Sequence, residues 1–284
     1  MEKRREFLKK VPLTALAATI GGTAAYSNNV KADFLSRTGI ITNTVKAEMD
    51  ENYKQTLEKL AEIGYKYIEG SVKGDSIEEY KKVLNANGLK SIGSGSSMSN
   101  LQEGLDEAFK TAEALDHEYV ICYWPWLSSA QNLTKDEVMS TADNINSIGK
   151  KVKEAGFRFA WHNHDKEFQE INDDNLPFDL LLKNTDPDLS TVEMDWYWVV
   201  KGGQDPADYF KKYPGRFEIA HVKDMNNNRD GGITCVGNGV MDFDAILKDA
   251  PTGGVRYYIV ENERAVKGMK CARESYQHLA GLNI

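Results

Sequence analysis

The chain has 284 residues, is 41% hydrophobic and carries a formal net charge of −8 at neutral pH. That length buries a substantial core as one large domain or two small ones, and the acidic balance argues against a surface built to contact nucleic-acid phosphates. Three cysteines, Cys122, Cys235 and Cys271, are widely spaced and odd in number, so no disulfide framework and no Cys/His zinc spacing is expected.

Residues 1–32 open with a basic cluster and run into a short, weakly apolar stretch ending in small residues. The apolar part is about half the roughly 20 residues a membrane span needs, so it reads as an export signal. Arg4-Arg5-x-Phe7-Leu8-Lys9 resembles the twin-arginine signature, with Glu6 at the variable position. Cleavage after Ala25 or after Ala32 would each leave a small residue behind. The expectation is a bacterial periplasmic protein with no stable membrane insertion after processing and a mature domain over 33–284.

From Arg37 onward, short apolar runs alternate with longer amphipathic ones. Strands are predicted over 38–45, 65–71, 89–96 and 119–125, then over 157–164, 189–196, 217–224 and 256–263. Helices are predicted over 50–63, 77–87, 101–115, 135–155, 178–182, 206–213, 243–249 and 265–282. Gly64, Gly88 and Gly156 stand just past helix ends, where a left-handed cap favours glycine. The phrases EIGYKYIE, ANGLKSIG and EAGFRFAW repeat one pattern: helix, glycine stop, strand start. Eight βα units over roughly 245 residues match an α/β, single-domain (β/α)8 TIM barrel. An open doubly wound sheet would want a glycine-rich turn after the first strand, and ITNTVKAEMD has none.

Polar residues collect at the predicted strand ends, where such barrels hold their active sites. The fifth strand ends in His162 and His164, and the sixth carries Glu193 and Asp195 on one face. The seventh carries His221 and Lys223, the eighth Glu261 and Glu263, and the second Glu69. Inward charges are costly unless they pair or bind a cation. A thiolate-free Asp/Glu/His cluster suits a divalent metal, Mn, Mg or Co first, with Zn as an alternative. A hydrogen-bonded, metal-free barrel mouth would use the same residue types.

At these residues the chain resembles the xylose isomerase-like TIM-barrel superfamily, in its sugar (phosphate) isomerase/epimerase branch. The carrying phrases are WHNHDKEF (161–168), EMDWYWVVKGGQDP (193–206), HVKDM (221–225), VGNGVMDF (236–243) and YIVENE (258–263). The resemblance implies a metal held by one ligand each from the fifth to eighth strands, usually Glu, Asp, His and Glu. Asp195, His221 and Glu261 match the last three. His162 stands where the first, a glutamate, is usual, which puts two-glutamate epimerase chemistry in doubt. Asn238 and Ser96 also depart from the usual Glu and His.

The chemistry so implied is proton abstraction next to a carbonyl through an enediolate. His164, Lys223 and Glu261 are the catalytic candidates. Glu69, Trp124, Glu193 and Trp196 are candidates for substrate contact, with ordinary packing the competing role for any single Trp. Lys223 would otherwise be ion-paired to Glu193 or Glu263. Export and the lack of a phosphate-cradling loop favour a small neutral sugar or keto-glycoside. A metal-dependent isomerase or epimerase is the first reading, a lyase or hydratase on a 3-keto-glycoside the second, and a non-catalytic sugar-binding barrel the third. An endonuclease reading lacks the ligands for a three-metal cluster. A homo-oligomer is compatible with all of these.

Overall fold

The computed structural model describes residues 31–128, 133–171 and 176–284. The expected signal segment therefore lies almost wholly outside the described residues. Eight parallel strands close a barrel: β1 (Thr38–Ile41), β2 (Tyr67–Glu69), β3 (Lys90–Ser97), β4 (Tyr119–Trp124), β5 (Arg158–His162), β6 (Thr191–Asp195), β7 (Ile219–Val222) and β10 (Tyr257–Val260). Around it run α1 (Lys46–Ile63), α2 (Ile77–Ala86), α3 (Met98–Ala114), α4 (Lys135–Glu154), α5 (Pro177–Asn184), α6 (Trp196–Lys201), α7 (Pro206–Lys212), α8 (Phe243–Gly253) and α9 (Gly268–Gly281). Two short strands, β8 (Asp224–Met225) and β9 (Ile233–Thr234), form an antiparallel hairpin after β7.

The helices form where the sequence carries both a buried stripe and a start signal. In α4, Thr134 and Glu137 make a reciprocal capping box, and Val138, Ala142, Ile145, Gly149 and Val152 fall on one buried face. Gly156 then takes φ 92° and Gly88, after α2, takes φ 67°, conformations a side chain would strain. Alternation along the strands divides the core. Ile41, Ile92, Tyr119, Ile121, Ala160, Ile219 and Ile259 fill the barrel interior, while a larger cluster lies between sheet and helices. The bottom of the barrel is closed by polar pairs: Arg158 with Glu218, Arg256 with Glu118, and Tyr119 Oη donating to Glu218 at 2.7 Å.

Three sequence expectations need correction. The first strand stops at Ile41 and continues as a 3-10 turn over Thr42–Val45. The sixth stops at Asp195, so Trp196 begins α6 rather than ending a strand. Cys235 and Cys271 form a disulfide, with Cα atoms 5.4 Å apart. Cysteine count could not reveal this, because positions 36 apart in the chain return to the same place only once the barrel closes. Cys122 is free and buried, as expected.

Candidate active site

The strand registers bring the polar ends together. His162 sits beside Glu193 in the β5/β6 ladder, and Asp195 beside His221 in the β6/β7 ladder. Asn163, on the opposite face from His162, clamps this edge: its Oδ1 accepts from Asp195 N at 3.0 Å. Asp195 serves two structures at once. Its Oδ1 caps α6 by accepting from Trp198 N (3.1 Å), which leaves Oδ2 turned into the barrel mouth.

His162, Asp195, His221 and Glu261 are all buried and each presents one donor atom, the four lying within 4.8 Å of one another. These are the four residues expected to hold a metal. Lys223 is buried among them, with Nζ 2.9 Å from Asp195 Oδ2, 2.9 Å from Glu261 Oε2 and 3.2 Å from Glu263 Oε2. Its ion-pair partners are therefore two of the candidate ligands and Glu263, not Glu193.

A second layer lies below. Glu193 Oε2 is 3.0 Å from His162 Nδ1, and Glu69 Oε1 is 3.1 Å from His221 Nε2, while Tyr123 Oη donates to Glu69 Oε1 at 2.9 Å. Both carboxylates are fully buried and neither lines the mouth. The expected substrate contacts from Glu69 and Glu193 are thus corrected: these side chains touch the two imidazoles from behind. The strand period placed them on the inward face correctly, but they sit too deep to meet a ligand. A carboxylate behind a histidine fixes the ring's orientation and leaves its other nitrogen for the site.

The electrostatics follow from burial and crowding. Burial opposes charge on His221, but Glu193, Glu69 and Glu261 together hold its pKa well above the usual imidazole value. Burial, reinforced by His221 and His164, holds His162 well below it. Burial also opposes the Glu261 carboxylate, yet Lys223 and His221 keep its pKa well below the carboxylate range. Burial pushes Glu193 up to about 8, with the neighbouring Glu69 adding to the shift. Despite burial, Lys223 is held charged by Asp195, Glu261 and Glu263.

The donor set fits a divalent cation. Two imidazoles and two carboxylates converge, with Asp195 Oδ2 turned into the site, where it meets Lys223 Nζ at 2.9 Å. Below them, Glu69 Oε2 and Glu193 Oε1 are buried without a hydrogen-bond partner among the described residues. Five carboxylates, Glu69, Glu193, Asp195, Glu261 and Glu263, surround one lysine and two imidazoles and leave the cluster short of positive charge.

Above the cluster opens a mouth of about 460 Å³. His164 lines it although β5 ends two residues earlier. The His162 and His164 rings stand 4.7 Å apart, and burial with Lys223 nearby lowers the His164 pKa to about 4. The loop that carries His164 is pinned by Glu167, whose Oε2 accepts from His164 N (3.0 Å) and whose Oε1 accepts from Trp126 Nε1 (2.9 Å). Trp124 is 36% exposed, with its ring 5.0 Å from His164.

Trp196 is the other correction. It is fully buried against Phe210, Phe243 and Tyr258, away from the mouth. Trp198 lines the mouth in its place. The sequence does hold the signal: a helix begun at Asp195 turns residues two apart about 200° from each other, so Trp196 and Trp198 face opposite ways. Lys46 and Lys73 also line the mouth, and no pattern in the sequence marks them.

Comparison with known proteins places this geometry. A family model described as xylose isomerase-like TIM barrel matches residues 57–280. An inosose dehydratase of Clostridium perfringens is 25% identical over 203 residues, covering 66% of this chain and 62% of that protein. The chain thus spans about three fifths of the length of that curated relative. A sugar phosphate isomerase/epimerase from Parabacteroides distasonis superposes with a TM-score of 0.72 at 24% identity, covering 95% of this chain and 98% of that one. A probable 3-DHS dehydratase, AsbF, from Bacillus anthracis gives 0.69 at 12% identity (86% and 98% covered). The IOLI protein, solved with a bound zinc atom, gives 0.69 at 16% identity (87% and 99% covered).

Proposed function

The chain belongs to the xylose isomerase-like TIM-barrel family, and from that premise we propose that it is a metal-assisted lyase acting on a neutral keto-sugar or keto-glycoside. The observation that carries this reading is the asymmetry of the acid–base groups around the cluster. Epimerisation by two glutamates needs a mobile carboxylate on each side of the sugar. Here the fifth strand offers His162 instead, and Glu261 is held between His221 Nδ1 (2.8 Å) and Lys223 Nζ (2.9 Å). Next to the cluster, the opening holds one neutral imidazole, His164, and one charged amine, Lys223. The Glu263 carboxylate there is paired to that amine at 3.2 Å, and Lys46 and Lys73 on the far wall are paired to Asp50. One base suffices for elimination.

His162, Asp195, His221 and Glu261 would hold the cation, which when bound would polarise the substrate carbonyl and steady the charge that develops on its oxygen. His164 removes the proton from the carbon next to that carbonyl. The Lys223 ammonium, fixed by three carboxylates, stabilises the growing negative charge on oxygen. As the enolate collapses, its electron pair forms the carbon–carbon double bond and the bond to the β-oxygen breaks. The proton carried by His164 passes to the departing oxygen, so the base is regenerated. Glu69 and Glu193 keep the two imidazole ligands aimed, and the Asp195–Trp198 cap fixes the sixth-strand ligand.

Isomerisation, the reading that the sequence placed first, begins with the same proton transfer, and the two part only afterwards. The dehydratase named among the relatives supports elimination. The test is incubation of the metal-loaded enzyme with 3-keto-glycosides in D₂O, followed by mass spectrometry. Release of the substituent with formation of an unsaturated ketone is expected. Deuterium uptake at the α-carbon with no loss of substituent would instead establish an isomerase.

The twin-arginine resemblance supports a periplasmic location, and the Cys235–Cys271 disulfide favours an oxidising compartment. Among the described residues, no helix is long and apolar enough to cross a membrane.

A further inference from the structure

The two sides of the mouth differ in chemistry. On the β1 and β2 side it is polar, lined by Thr42, Asn43, Lys46, Ser71 and Lys73. Lys46 and Lys73 share the Asp50 carboxylate, which leaves their remaining N–H groups for hydroxyl oxygens. On the β4 to β6 side it is aromatic. There Tyr123, His164 and Trp198 line it, the His164 ring 5.9 Å from the Trp198 ring, and the exposed Trp124 ring stands just outside this lining, 5.0 Å from His164. Lys166 Nζ lies 5.6 Å from the Trp124 ring, and Lys223 Nζ lies 5.6 Å from the Trp198 ring. Three residues on from Trp124, Leu127 is 51% exposed.

Large apolar side chains left open beside a site need an occupant. Trp124 and Leu127 are two of only four large hydrophobic residues exposed among the described residues; Trp124 ends β4 and Leu127 lies three residues beyond it. Elimination decides which part of the substrate lies there. The group that takes the α-proton also hands it to the leaving oxygen, so the leaving group has to pass within reach of His164. His164 is embedded in the aromatic wall. A departing water would leave the indoles uncovered, whereas a flat apolar group would cover them.

We infer that the mouth is a two-part site for an aryl glycoside: the hydroxylated ring lies against Asn43, Lys46, Ser71 and Lys73, and a planar apolar aglycone lies against Trp124 and Trp198. This rests on the lyase reading for the orientation of the substrate, but its test does not require turnover. Matched phenyl and methyl β-glycosides of glucose, galactose and mannose lack the ketone and can bind without reacting. Titrated calorimetrically into the metal-loaded full chain, the phenyl member of the best-binding pair should bind about tenfold more tightly than its methyl partner. Trp124→Ala should cut that ratio below about twofold, and Trp124→Phe, which keeps a ring, should restore most of it. Equal affinities within every pair, or a ratio unchanged in Trp124→Ala, would overturn the inference. Failure of the lyase reading looks different: the phenyl preference would persist while the keto-glycosides released no aglycone.

Discussion

At the scale of single residues, the site separates side chains that would hold a cation from side chains that would move a proton. Asp195→Ala should lose most bound metal, because it removes the Oδ2 that faces the cluster as well as the cap on Trp198 N. His164→Gln should retain the metal while turnover falls at least about a hundredfold, as expected on removing a general base. Metal content by mass spectrometry beside initial rates separates the two, and equal metal retention in both variants would remove Asp195 from the ligand set. A second residue reports on pH. His117 is buried at the barrel bottom against Ser91 Oγ (2.8 Å), and burial lowers its pKa from 6.5 to about 4. Below pH 6.5 the unfolded chain takes up a proton that the native chain refuses until about pH 4. Stability from this group is thus complete above 6.5 and lost as pH falls, by up to about 3 kcal/mol. Urea unfolding from pH 7 to 4 should show that slope, and His117→Asn should flatten it.

At the scale of elements, the excursion between β7 and α8 turns on one carboxylate. Asp224 accepts from four backbone N–H groups, those of Met225 (2.8 Å), Gly237 (2.9 Å), Gly239 (3.0 Å) and Met241 (3.2 Å). The disulfide then ties Cys235 in the same excursion to α9, and the Asn262 amide, next to Glu261, lies 3.5 Å from Cys271 Sγ. Asp224→Ala would leave four part-buried backbone donors without this acceptor and should cost about 2–3 kcal/mol. Denaturant titration measures it, and a loss below about 1 kcal/mol would mean that the excursion stands without its centre. Helix and strand order in this region was legible in the sequence. The hairpin was not, because HVKDM reads as a continuing strand until Asp224 is seen turning back to collect its own loop's amides.

At the scale of the whole molecule, the barrel is what makes the scattered carboxylates and imidazoles one site. The twin-arginine resemblance adds an expectation about where that site works. Replacing Arg4 and Arg5 together by Lys should hold the protein in the cytoplasm, read by cell fractionation, while the purified barrel keeps its fold. Periplasmic recovery of the double variant would dismiss twin-arginine export.

The sequence by itself determined the barrel, because the alternation of short apolar runs and amphipathic segments is local and repeats eight times, with a glycine stop marking three of the junctions. It also determined which residues share a face within each strand, because a period of two pairs His162 with His164, Glu193 with Asp195, His221 with Lys223 and Glu261 with Glu263. The choice of His162, Asp195, His221 and Glu261 as one ligand set came from the family resemblance. Only the tertiary structure decided depth, pairing and exit direction. Glu69 and Glu193 sit beneath the imidazoles rather than in the mouth, since depth depends on the stagger between strands. Trp198 rather than Trp196 faces the mouth, since a cap at Asp195 ends the strand and changes the period from 2 to 3.6. Cys235 meets Cys271 because closure of the barrel folds α9 back over the loop, and distances across such a closure are written in no local pattern.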